Sequence, residues 1–248
     1  MRRRLPTAPA LIALAALVHC GPVPEQAGRG PHDEYAAARN RMVERQIRAR
    51  GVEDARVLGA LAAVPRHLFV PADVVEQAYD DHPLPIGHGQ TISQPYVVAL
   101  MTELADLRPG ERALEVGTGS GYQAAVLAAL ADSVYTVEIV EPLAASAADR
   151  LRRLGYANVR VRWGDGYRGW PERAPFDAIV VTAAPERVPQ PLLDQLAVGG
   201  RLVIPVGGAS QDLLEITRTA DGLVERNVIP VRFVPMTGEA QRRGGGGR

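Results

Sequence analysis

No lysine occurs anywhere in the 248 residues, and all 28 basic positions are arginine. Without a lysine amine the chain forms no Schiff base and anchors no pyridoxal cofactor. It also lacks the lysine that a G-x-x-x-x-G-K-[ST] phosphate loop requires. Cysteine is almost as scarce: Cys20 stands alone, which excludes an intrachain disulfide framework and a cysteine metal cluster. The five histidines show neither H-E-x-x-H nor another ligand spacing, so no metal is expected. Excess charge of either sign is missing too, since 28 acidic residues balance the 28 arginines. That balance removes any global electrostatic case for nucleic acid or an anionic membrane as partner.

What is present is enough for one domain. With 46% hydrophobic residues, a chain of this length buries a full core as one domain of roughly 200 residues plus tails. Residues 1–34 read as a signal-like extension and linker, 35–240 as the folded domain, and 241–248 as a flexible tail. In the extension, Arg2-Arg3-Arg4 precedes an apolar run from about Ala10 to Val18, the form of a secretory signal and too short to span a bilayer. Cys20 ends a segment resembling a lipoprotein cleavage box, although His19 stands where a small residue is expected. A mis-started extension is the alternative, with Met42 just ahead of the compact part.

The domain opens with two amphipathic helices, Tyr35 to Arg50 ended by Gly51, and Asp54 to Val64 ended by Pro65. A short helical patch follows at Asp73 to Tyr79. Leu84 to Tyr96 reads as a loop by its prolines and glycines, yet it is dense in hydroxyl and amide groups, and such loops more often carry function than packing. A helix from Pro95 to Ala105 comes next, with Ser93 or Gln94 available to cap it. From Arg112 onward strand and helix alternate, which argues for a mainly parallel sheet with helices on both faces. Strands are expected at Ala113–Val116, Val134–Glu138, Val159–Trp163, Phe176–Thr182 and Arg201–Val206, followed by an antiparallel hairpin around Asp221-Gly222.

The chemistry gathers where strands end. Ala113 to Tyr122 runs from an apolar strand into Gly117, Gly119 and Gly121 and then into an alanine-rich helix. Such glycines turn sharply and let the backbone approach a ligand. A dinucleotide site favours G-x-G-x-x-G, but its third glycine position is Tyr122 here. E-x-G-x-G-x-G, with Glu115 ahead of the glycines and projecting toward the same space, instead suits a ligand with a cationic amine and no phosphate. S-adenosylmethionine is such a ligand; a glycine-rich turn that binds nothing is the alternative. Glu138 ends the next strand about 20 residues on, where a carboxylate accepts hydrogen bonds from ribose hydroxyls. Asp165, between two glycines, is placed to hold an adenine amino group while the Gly166 amide meets a ring nitrogen. Its alternative is a plain Asp-Gly turn.

Gln90-Thr-Ile-Ser-Gln-Pro-Tyr96, Leu114-Glu-Val-Gly-Thr-Gly-Ser-Gly-Tyr122, Gly164-Asp-Gly166, Phe176-Asp-Ala-Ile-Val-Val-Thr-Ala-Ala-Pro185 and Arg232-Phe-Val-Pro235 together resemble the protein-L-isoaspartate O-methyltransferases. The resemblance runs from about Met42 to Glu239. It implies a Rossmann-like S-adenosylmethionine-dependent methyltransferase fold and methyl transfer to the free α-carboxyl of isoaspartyl residues in damaged proteins and peptides, which starts their repair. It further implies Ser93 as the active-site residue, with Thr91 beside it, and a cytoplasmic monomer; the extension through Cys20 points instead to export or lipid anchoring. A carboxylate is ionised at neutral pH, so no general base is needed, and Ser93 and Thr91 would orient it as hydrogen-bond donors. Three other functions stay open: a methyltransferase of the same fold with another substrate, a nicotinamide-dependent oxidoreductase disfavoured by Tyr122, and a noncatalytic module that keeps the cofactor pocket.

Overall fold

The computed structural model describes residues 34–244. The signal-like segment with Cys20 and residues 245–248 lie outside the described residues. Seven strands form one sheet in the order β5-β4-β3-β6-β7-β8-β9. Its parallel part comprises β3 (Arg112–Val116), β4 (Ser133–Glu138), β5 (Val159–Trp163), β6 (Phe176–Val181) and β7 (Leu196–Gly207). β8 (Gln211–Thr219) and β9 (Gly222–Val231) close the other edge antiparallel. The α/β expectation with its antiparallel end therefore holds. β7 starts earlier than its apolar run suggested: it reaches back through Gly199-Gly200 to Leu196, with a register irregularity against β6 between Phe176 and Ala178.

Strands buried on both faces read as continuous apolar runs because neither face meets water. Along β6, Ala178 and Val180 point to one core and Ile179 and Val181 to the other, all four with no exposed surface. The first core is filled by α2 (Ala55–Ala63), α3 (Pro95–Ala105) and α4 (Tyr122–Ala128) together with the leading residues Met42, Val43 and Ile47. Those leading residues continue α1 (Ala36–Arg41) as a wide turn, Met42–Ile47, and a tight one, Arg48–Arg50, before Gly51 stops them at φ 93°. α5 (Glu141–Arg153) covers β5 and β4. The second core takes Leu192 and Leu193 of α6 (Gln190–Asp194), with Met236 and Ala240 from the chain's end.

Local chemistry sets the helix ends. Asp54 caps α2 by accepting from the Arg56 amide at 2.8 Å, and Pro95 opens α3 at its first turn, where its missing N–H costs nothing. Neither Ser93 nor Gln94 caps α3: Gln94 is the capping residue by position but makes no side-chain cap bond, and its amide donates to Asp81 at 2.8 Å. Two further differences bear on the site. Leu84 to Ile92 is a hairpin rather than a loop, β1 (Leu84–Gly87) against β2 (Gln90–Ile92); Gly87, His88 and Gly89 make its turn with positive φ. α7 (Glu239–Gly244) runs into the segment expected to be a tail, fastened where Glu239 pairs with Arg168 at 2.8 Å.

Candidate active site

Strand order reverses between β3 and β6: β4 and β5 lie on one side, β7 on the other. Open α/β sheets bind ligands beyond the carboxyl ends at such a switch point. A cavity lies there, lined by Val116, Gly117 and Gly119 after β3, Glu138 and Ile139 after β4, Gly166 after β5 and Thr182 after β6. Gln90 and Thr91 of β2 form one wall, and Val234 to Thr237 another.

The glycine turn is shaped by its surroundings. Gly117, Gly119 and Gly121 all take positive φ (98°, 52° and 89°). A Cβ on Gly117 would overlap the Thr182 hydroxyl, which donates to the Gly117 carbonyl at 2.7 Å. The Gly117 amide donates to Val137 O at 2.8 Å, which ties the turn to β4. Tyr122 shows why no third glycine is needed: its ring is buried beneath the helix start, edge-on to Phe69 at 5.6 Å, with the buried Arg66 guanidinium 4.8 Å from its centre.

Glu138 lines the cavity and is 5% exposed. One carboxylate oxygen accepts from the Gly119 amide at 2.8 Å, the other from Val140 at 2.9 Å. Each oxygen keeps a further acceptor direction. Among the described residues Glu138 is the one charged group in the lining. A cavity with an acid and no arginine or histidine suits a cationic ligand without phosphate.

Glu115 does not share that space. Its carboxyl is wholly buried and accepts from Thr136 Oγ1 at 2.5 Å, and Thr136 in turn meets Thr118 of the glycine turn at 2.6 Å. Burial pushes this carboxyl up to about 8. The cause is strand alternation: Val116 faces the cavity, so Glu115 faces the opposite core. Its part is to brace the turn from below. Asp165 also departs from expectation. Its oxygens accept from Tyr167 N at 3.0 Å and from Glu239 N at 2.7 Å, so the carboxylate fastens the start of α7 and is not among the lining residues. Gly166 does line the cavity, so close to Val116 that a Cβ would overlap it.

Of the hydroxyl pair, Thr91 is exposed and lines the cavity; Ser93 is half-buried, two residues further along, and outside the lining. Thr182, Gln90, Ile139 and the Val234–Thr237 wall went unassigned in the sequence. Thr182 had a signal, a hydroxyl ending an apolar central strand. The wall had one only in Val234 and Pro235, which belong to the Arg232-Phe-Val-Pro235 segment of the resemblance but carried no role; it is placed by pairing with Ala184, whose amide donates to Val234 O and whose carbonyl accepts from Met236 N, both at 2.8 Å. Among the described residues no three His, Cys, Asp or Glu side chains cluster to hold a metal, and no helix is long and apolar enough to cross a membrane.

Residues 37–241 match the family model described as protein-L-isoaspartate(D-aspartate) O-methyltransferase. A protein-L-isoaspartate O-methyltransferase of Gloeobacter violaceus is 62% identical over 200 residues, covering 80% of this chain and 98% of that protein. A Polaromonas protein-L-isoaspartate O-methyltransferase 2 is 60% identical over 189 residues, 75% of this chain and 90% of the relative. Among solved structures, a protein-L-isoaspartate O-methyltransferase superposes with a TM-score of 0.75 at 31% identity, over 82% of this chain and 67% of its own. A Plasmodium falciparum protein assigned the same activity, solved in complex with S-adenosyl-L-homocysteine, superposes at 0.71 with 29% identity, over 80% and 98%.

Proposed function

The chain belongs to the protein-L-isoaspartate(D-aspartate) O-methyltransferase family, and from that premise we propose which of its residues carry the reaction. The enzyme transfers a methyl group from S-adenosylmethionine to the free α-carboxyl of L-isoaspartyl residues in damaged proteins. The cofactor supplies an electrophilic methyl on a sulfonium. The cavity's residues fit it: an acid without a competing cation, and a glycine turn open to close backbone approach.

In our assignment Gly117 and Gly119 form the cradle, with Thr182 holding the Gly117 carbonyl in place, while Gly121, outside the lining, lets the start of α4 pack against Leu151 and Ala147 of α5. Glu138 accepts from the ribose hydroxyls while it keeps the Gly119 amide, and Gly166 offers backbone to the adenine edge. Glu115 and Asp165 act one layer back, the first under the turn and the second on α7. Thr91 and Ser93 orient the substrate carboxylate as donors. No base is required, because that carboxylate is ionised at neutral pH. What the chain contributes is alignment, and positioning of this kind accounts for roughly 7–11 kcal/mol of barrier lowering.

The observation that carries this assignment is Glu138, a buried acid in a cavity lining that holds no other charge among the described residues. Matched isoaspartyl and aspartyl peptides test it with methyl label: the first accepts label and the second does not, and label on both alike would refute the substrate. We also propose a monomer, the state that the family resemblance implies. The cytoplasm, where the cofactor is made, is the proposed compartment. Fractionation with mass spectrometry of the mature N-terminus tests that against export through Cys20.

A further inference from the structure

Thr91 and Ser93 stand on one short segment whose two ends are held differently. Thr91 belongs to β2, in the two-stranded hairpin. Ser93 is followed at once by Gln94, Pro95 and Tyr96, where α3 begins. The first amides of a helix have no partner inside it, and a serine just ahead commonly accepts from them through its hydroxyl. Here α3 receives no side-chain bond from its own capping position. Pro95 has no N–H to offer, so the first donor of the helix is Tyr96 N. It donates to Asp81 Oδ1 at 3.3 Å, 15 residues away in sequence.

The other oxygen, Asp81 Oδ2, accepts from Gln94 Nε2 at 2.8 Å and from Arg50 Nη1 at 2.7 Å. The Arg50 guanidinium in turn lies 3.5 Å from the centre of the Tyr96 ring. One ion pair therefore grips both Gln94 and Tyr96. The strap that brings Asp81 there is itself fastened: the buried Arg66 donates through Nε to Ala78 O at 2.8 Å, and Gln46 Nε2 donates to Tyr79 O at 3.0 Å. Asp81 is outside the cavity lining, so whatever it does for the reaction passes through the segment it holds. The Ser93 hydroxyl, relieved of capping, makes no hydrogen bond among the described residues.

We propose that Asp81 is a positioning residue for methyl transfer: by capping α3 in place of Ser93, it fixes the chain at 94–96 and leaves the Ser93 hydroxyl for the substrate carboxylate, which rests on the assignment of Ser93 as an orienting donor. A serine that caps its own helix is turned toward the backbone amides and held there. An aspartate from outside supplies the acceptor instead, and its charge suits the positive end of the helix. Arg50 holds the carboxylate in place and stacks on the ring that follows.

The test compares Asp81→Ala and Asp81→Asn, each alone and each combined with Ser93→Ala, on an isoaspartyl peptide. Asp81→Ala should keep the cofactor dissociation constant and lower kcat roughly five-fold, the worth of the hydrogen bond that a misplaced Ser93 no longer makes. Asp81→Asn should recover most of the loss, because asparagine still accepts from Tyr96 N and Gln94 can turn its own oxygen toward the new amide. In the Ser93→Ala background Asp81→Ala should cost nothing further, since the group it acts through is gone. Losses that multiply would make Asp81 a general support of the fold and overturn the proposal. Arg50→Gln, at an exposed position, should show the same pattern more weakly, and it carries the comparison if Asp81→Ala does not fold. Hydrogen exchange of peptides spanning 90–97 reads the anchoring without any activity: it should quicken in Asp81→Ala and stay slow in Asp81→Asn. Unchanged exchange in Asp81→Ala would overturn the anchoring. Full turnover by Ser93→Ala, with exchange still quickened by Asp81→Ala, would overturn the step through Ser93 alone, so failure of the orienting assignment reads out separately.

Discussion

The two walls of the cavity are built to different standards of rigidity. On the cofactor side, the glycine turn is held at Gly117 N by Val137, at Gly117 O by Thr182 and at Gly119 N by Glu138, while the Thr118 hydroxyl joins Thr136 and Glu115 beneath. On the other side, Thr91 is exposed on a three-residue strand of a two-stranded hairpin, a unit marginal by itself in water. The contrast fits the ligands. A cofactor of fixed shape rewards a preformed cradle, whereas a damaged residue arrives in many sequence contexts and needs a wall that yields.

The contrast can be broken from the rigid side first. Gly117→Val has the largest expected effect on methyl transfer: a β-branched residue at positive φ costs about 1–3 kcal/mol of strain, and here it also collides with Thr182. Cofactor binding should be lost by calorimetry; binding close to that of the native chain would show that the turn is not the cradle. Glu138→Ala comes next. It leaves the Gly119 and Val140 amides without their acceptor, about 1–3 kcal/mol for a buried group, and it weakens cofactor affinity without abolishing turnover at saturation. An unchanged dissociation constant would remove Glu138 from the cofactor site. From the yielding side, Ser93→Ala should lower kcat by roughly five-fold, the worth of about 1 kcal/mol of hydrogen bond, with cofactor affinity unmoved. Full turnover on an isoaspartyl peptide would leave Thr91, the residue that lines the cavity, as the orienting donor.

The same division explains what was legible in the sequence. β3, β4 and β6 announce themselves, since strands with few water-facing positions are written as apolar runs; β5, half open to water, shows instead in the alternation Val159-Arg-Val-Arg162, and the glycines mark the bend that follows β3. The yielding wall is written in prolines, glycines and hydroxyls, so the β1–β2 hairpin passes for a loop until its pairing is seen. Glu115 could not be aimed from sequence, because a strand buried on both faces gives no polar contrast to tell its sides apart. The contacts of Asp165 escape the sequence for another reason: its partner Glu239 lies 74 residues away, and no local pattern points to it. The glycine motif names the ligand class, while the braces that hold it are long-range.

Glu115→Gln has the smallest expected effect on methyl transfer and sharpens the comparison most, because it alters the brace and leaves the cradle in place. The carboxyl, ordinarily near 4.5, is pushed up to about 8 by burial, which outweighs the Thr136 hydroxyl and the Ala124 amide that favour its charged form. A raised acid binds its proton more tightly when folded than when unfolded. Its contribution to stability is therefore complete below pH 4.5, falls as pH rises from there toward 8, and is flat above. Glutamine keeps the shape and cannot ionise. Melting temperatures of the two proteins should lie close together at pH 5 and diverge toward pH 8, with the variant the more stable. Parallel melting curves across that range would mean that Glu115 is ionised in the folded chain, held by a partner the neutral brace does not include.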